Sequence, residues 1–82
     1  MENNTIFRVT SGECDYYQVH RYFTALESAK THMRELAEEL KSAGEPRYQY
    51  TWFRIEAMTF DANGTAPEFD TLLECEDAFP EL

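Results

Sequence analysis

Eighty-two residues suffice for one small domain and leave no room for a second core. Hydrophobic residues make up 43% and aromatics 15%, well above a disordered chain, and no apolar run approaches the roughly 18 residues of a membrane span. A formal charge of −9, from 16 acids against 7 bases, argues against direct contact with DNA, RNA or an anionic membrane.

The charge is concentrated at one end. Residues 1–23 and 24–60 each carry a net −1, whereas residues 61–82 carry seven acids and no base. The chain therefore divides into an almost neutral α+β unit, residues 1–60, and an acidic segment, residues 61–82, expected to dock on the same domain. The polar start, Met1-Glu2-Asn3-Asn4, lacks the basic-then-apolar layout of a secretory leader, which sets the expected compartment as the cytoplasm. Cys14 and Cys75 are expected there as free thiols.

In chain order, residues 5–10 (Thr-Ile-Phe-Arg-Val-Thr) are β-branched and aromatic and predict a strand. Ser11-Gly12-Glu13 has turn chemistry, and residues 16–23 predict the second strand of an antiparallel hairpin. Thr24-Ala25-Leu26-Glu27 has the form of a capping box. Leu26, Ala29, Met33, Leu36, Ala37 and Leu40 then follow at spacings of three and four, one apolar stripe on a helix of about five turns. Gly44 suits a left-handed stop, and Pro46 prevents resumption.

Residues 48–60 predict a long strand with unlike faces. Phe53, Ile55 and Ala57 suit packing under the helix. Tyr48, Tyr50, Trp52, Met58 and Phe60, with Arg54 and Glu56, point the other way. On the second strand the same alternation sets Tyr16, His20 and Tyr22 against Tyr17, Val19 and Phe23. Asp61-Ala62-Asn63-Gly64 is a turn, and Thr65-Ala66-Pro67-Glu68 a second capping box. A helix over residues 68–79 would gather Phe69, Leu72, Leu73, Cys75 and Phe79 on one face and stack Asp70, Glu74, Asp77 and Glu81 as an acidic stripe. The expected fold is thus α+β: a small antiparallel sheet in the order β-β-α-β, one long helix on one face, and an acidic C-terminal short helix or irregular segment.

Ser11-Gly12-Glu13, Asp15-Tyr16-Tyr17, Tyr22-Phe23-Thr24, Glu27 and Ala29 together resemble short phage and prophage proteins of unassigned activity. Those proteins have a Ser-Gly-Glu-like turn, a Tyr-rich strand and a Phe-Ser/Thr-capped helix. The resemblance spans about residues 6–58. It implies the fold and a bacterial host cell as the setting, and it carries over no functional residue. Cys14 beside the turn and the acidic tail depart from the pattern.

Catalytic chemistry finds little support. Cys14, His20, His32 and Cys75 are separated by gaps that pre-organise no zinc chelate. Cys14 lies between Glu13 and Asp15, and Cys75 between Glu74 and Glu76, so neighbouring charge disfavours either thiolate. There is no phosphate loop, no Gly-x-Ser-x-Gly and no His-Glu-x-x-His. The expected protein is not an enzyme and holds no cofactor or metal.

One helix covers only one face of the sheet. Either the tail docks Phe69, Leu72 and Phe79 on the other face, or part of that face is an interface rich in the aromatic residues that dominate binding hot spots. The expected function is a non-enzymatic acidic protein-binding module that blocks a basic nucleic-acid-binding surface. By analogy with a phage setting, the target class is a bacterial defence complex, as for an anti-CRISPR or anti-restriction inhibitor. Asp70, Glu74, Asp77 and Glu81 would supply charge, and Tyr50, Trp52 and Phe69 apolar anchors. The alternative is a self-associating accessory protein, a homodimer whose acidic tail serves solubility.

Overall fold

The computed structural model describes residues 5–13, 16–44, 51–59 and 68–82. The order of elements is β1 (Thr5–Glu13), β2 (Tyr16–Phe23), α1 (Leu26–Ser42), β3 (Trp52–Thr59), β4 (Asp70–Glu74) and α2 (Cys75–Ala78). The four strands form one antiparallel sheet in the order β2-β1-β3-β4, with α1 across one face. This is an α+β fold with a short C-terminal helix.

The core lies where the alternating apolar residues of the strands meet the helix stripe. Phe7 and Val9 from β1, Phe53 and Ile55 from β3, and Ala29, Met33 and Ala37 from α1 are buried together. Small Ala29 and Ala37 flank Met33, so the helix lies close to the sheet and one flexible side chain fills the gap. Leu26, Leu36 and Leu40 close the sides of this cluster. Gly44 takes φ +70° just past the helix, as a left-handed C-terminal stop requires.

Three local expectations are corrected. Ser11-Gly12-Glu13 is not a turn: β1 runs on through these residues, which pair with Gln18, Tyr17 and Tyr16. The hairpin connection falls instead at positions 14–15, outside the described residues. The helix has no Thr24 capping box, because its N-cap is Ala25, with no side-chain cap, and Glu27 is thereby one position too early to reach back.

The third correction concerns the tail. Residues 70–74 form β4 and α2 is a single turn, so no helix spans 68–79. Stacking like charges four apart weakens a helix, whereas the free edge of β3 offers a ladder of backbone partners. Leu73, beside Ile55, then packs on the core, as do Cys75, Ala78, Phe79 and Leu82. The tail is a structural part of the domain. The expected turn and capping box at 61–67, with Tyr48 and Phe60, lie outside the described residues.

Candidate protein interface

The sheet face away from α1 is assembled from β1, β2 and β3. Arg8, Thr10 and Gly12, of which Thr10 and Gly12 are themselves buried, alternate with Phe7, Val9 and Ser11 on the α1 side. From β3, Trp52, Arg54 and Glu56 stand opposite Gly12, Thr10 and Arg8. On β2 the register shifts between Val9 and Thr10: Val9 faces Arg21, and Thr10 faces Val19, which leaves His20 as the extra residue of a bulge. That single insertion changes the phase of the strand. Tyr22, opposite Arg8, and Tyr17, opposite Gly12, therefore share the open face, although uninterrupted alternation places them on opposite sides.

Gly12 is where the two sides of this face meet. It lies between Tyr17 and Trp52 in the register, and the rings of those residues approach each other with centroids 5.9 Å apart. A Cβ at Gly12 would overlap Cζ2 and Cε2 of the Trp52 ring and stand 2.5 Å from the Tyr16 carbonyl oxygen.

A polar knot holds the centre. Arg8 Nε donates to Glu56 Oε1 at 2.8 Å, the Tyr17 hydroxyl donates to the same oxygen at 3.0 Å, and Arg8 Nη2 donates to the Tyr17 hydroxyl at 3.0 Å. Glu56 is buried, and the Arg8 guanidinium is roofed by the Phe69 ring at 3.8 Å. Phe69 in turn meets Tyr22, centroids 6.2 Å apart. Desolvation, then the Glu56 carboxylate, pushes the Tyr17 hydroxyl above its ordinary value of 10.0, so it remains a donor at neutral pH. Around this fixed centre, Tyr17 and Tyr22 keep 51% and 57% of their surface exposed.

Of the residues expected at an interface, Trp52 and Phe69 lie on this face, half-buried. Tyr50 lies outside the described residues. The four acids do not form one stripe, because the helix that would align them is absent. The register shift between Ile55 and Glu56 puts Asp70 opposite Ala57 and Glu74 opposite Arg54, hence in opposite phases of the sheet. Asp77 is exposed on α2, and Glu81 is tied to Arg34 of α1 at 2.7 Å. Phe79 sits on the α1 side under Arg34 and so does not join Phe69 on the open face, while Leu72 is half exposed at the register shift between the paired Thr71 and Leu73.

Sequence reasoning passed over Arg8, Tyr17 and Glu56 as interface residues. The available signal was charge inside otherwise apolar strands: Arg8 between Phe7 and Val9, and Glu56 between Ile55 and Ala57. Such residues need a partner on the same face.

On the α1 side, a groove of about 410 Å³ is lined by Ser11, His20, Glu39 and Leu40 among others. Ser11 Oγ and His20 Nε2 are 2.7 Å apart, which satisfies a buried hydroxyl. Burial, and then the nearby His32, hold the His20 imidazole below its ordinary value of 6.5. The unfolded chain thus binds the proton more readily. The His20 contribution is fully present above about pH 6.5 and is lost as pH falls through the interval below it. His20→Gln is accordingly expected to lose less stability than the parent between about pH 7.5 and pH 5.5, measured by urea denaturation; parallel profiles would refute this.

Burial pushes the Cys75 thiol up, with help from Glu76 and Glu81 against an opposing pull from Arg34. Among the described residues, no group of three or more His, Cys, Asp or Glu could hold a metal ion, and no helix is long and apolar enough to cross a membrane. Comparison with protein-family models, with curated proteins and with solved structures finds no match for this chain.

Proposed function

We propose that the protein is a non-enzymatic binding module that docks through its open sheet face on a basic surface of another protein. The observation that carries this reading is the pair Tyr17 and Tyr22, more than half exposed, fixed beside Trp52 and Phe69 by the part-buried Arg8–Glu56 pair. Rigid aromatic residues with few rotamers lose little entropy on binding, and Tyr, Trp and Arg are the residue types of hot spots. The partner's sign follows from charge. Residues 68–82 carry six acids and no base, and only Glu74 and Glu81 among them have a described cationic neighbour. This field steers a basic surface toward the rim of the aromatic face. A nucleic-acid-handling protein has such a surface, and in a phage setting a bacterial defence complex belongs to that class.

The test is capture from a bacterial lysate at low and high salt. Tyr22→Ala is expected to weaken the captured interaction about 30-fold. Asp70→Lys with Asp77→Lys should lower the association rate and flatten its salt dependence. Capture unchanged by all three substitutions would reject the proposal. Self-association is the second reading, favoured by the outer position of the eight-residue β2 with Tyr16, Tyr17 and Gln18 exposed. A mass that doubles with concentration, and no foreign protein captured, would select it.

A further inference from the structure

Three of the four described arginines are set in one repeated way, the guanidinium against an aromatic ring with a carboxylate beside it. Arg8 lies over Phe69 at 3.8 Å and pairs with Glu56 at 2.8 Å. Arg34 lies over Phe79 at 4.8 Å and pairs with Glu81 at 2.7 Å. Arg54 lies over Trp52 at 4.1 Å, with Glu74 at 4.0 Å. Ring quadrupole and carboxylate both favour a flat, weakly hydrated cation over a compact ammonium.

The same two ingredients line a groove of about 430 Å³ where the start of β3 meets α2. Its walls include Trp52, Phe53, Phe79 and Pro80, and its charged groups are Glu74 and Glu76 with no base. Glu74 faces Arg54 Nε at 4.0 Å, an ion pair longer than a hydrogen bond, so the carboxylate keeps its acceptor positions for a second donor. Glu76 is exposed and has no ion pair among the described residues. Trp52 and Glu74 also belong to the open face, so the groove continues the aromatic surface around the end of the sheet.

We propose that this groove receives an arginine side chain of the basic partner, its guanidinium against the aromatic wall and its N–H groups toward Glu74 and Glu76. The assignment rests on the binding-module reading and names the residue type that module recognises.

The test uses the full chain and three blocked tripeptides, acetyl-Gly-Arg-Gly-amide and its lysine and citrulline counterparts, followed by proton–nitrogen NMR. The arginine peptide is expected to shift the Trp52 indole and the amides of residues 75–78, saturating at about millimolar concentration. Citrulline, of the same shape without charge, should cause no shift, and lysine should bind about threefold more weakly. Glu76→Gln, at an exposed position, should weaken the arginine peptide about threefold while leaving the rest of the spectrum in place.

No shift in the groove, or an equal response to citrulline, would overturn the assignment. Equal binding of lysine would overturn its guanidinium specificity. Shifts confined to the neighbours of Tyr17 and Tyr22 would overturn the groove and leave the binding module standing. Arginine in the groove with no basic protein captured from lysate would remove the module reading alone.

Discussion

Glu56→Ala is expected to destabilise the protein by about 2–3 kcal/mol, below the full 3–5 kcal/mol of a deeply buried pair. The reduction from the deep-burial figure reflects the 20% exposure of the Arg8 side chain. The cost comes from what is left behind. Arg8 remains beneath the Phe69 ring without its carboxylate, and the Tyr17 hydroxyl loses its acceptor. For a chain of this size the loss corresponds to a fall in Tm of about 10–20 °C. Glu56→Gln should cost about half as much, because it keeps an acceptor for Tyr17 and gives up only the charge. The double substitution Arg8→Met with Glu56→Leu should recover most of the loss, since no unpaired charge then remains. Urea denaturation of the four proteins checks the whole cycle. A Glu56→Ala variant as stable as the parent would show that the pair does not hold this face.

Gly12→Ala reverses an ordinary rule. Glycine within a strand usually weakens it, so alanine there is expected to stabilise by a few tenths to 1 kcal/mol. At Gly12 the added carbon would meet the Trp52 ring and the Tyr16 carbonyl, and a backbone oxygen has no rotamer by which to retreat. Trp52 is itself in contact with Tyr17 and Arg54, which restrict its retreat. The expected loss is about 1–3 kcal/mol. Trp52 is the protein's one tryptophan, so its emission reports the displacement directly. Shortening the obstacle, as in Gly12→Ala with Trp52→Val, should return part of the stability. A Gly12→Ala protein with unchanged emission and a raised Tm would refute this account of the contact.

The parts of the fold that were legible in the sequence are those decided by short-range periodicity. The stripe from Leu26 to Leu40 has one way to bury itself, and Phe53 with Ile55 has one face to offer it, so helix, sheet and core follow from spacing alone. The departures occur where a long-range partner decides. Asp70-Thr71-Leu72-Leu73-Glu74 reads as a helix in isolation, but the β3 edge turns it into a strand. Ser11-Gly12-Glu13 has the composition of a turn, yet β2 pairs with all three residues and β3 with Ser11 and Gly12, which holds them extended.

The candidate interface was legible only in part, and for a related reason. Trp52 and Phe69 were visible as large rings beside the core pattern. Strict alternation sets Tyr17 and Tyr22 on opposite faces, whereas one inserted residue, His20, shifts the phase and brings them to the same one; a bulge leaves no mark in composition. The acidic residues were visible as a charge run, but their alignment depended on a helical rise that the tail does not have.

The placement of β4 has a consequence for solubility in crowded solution. An outermost strand is a growth point where a second molecule can add its own strand and begin a fibre. Here the rim beyond β3 is occupied by a strand of five residues that begins and ends in a carboxylate and is followed directly by Glu76 and Asp77. A copy stacking there would bring the same charges into line with themselves at strand spacing, with no base in residues 68–82 to offset them. The tail thus acts as a gatekeeper: its acids make the growing edge repel its own kind while leaving an oppositely charged surface free to approach.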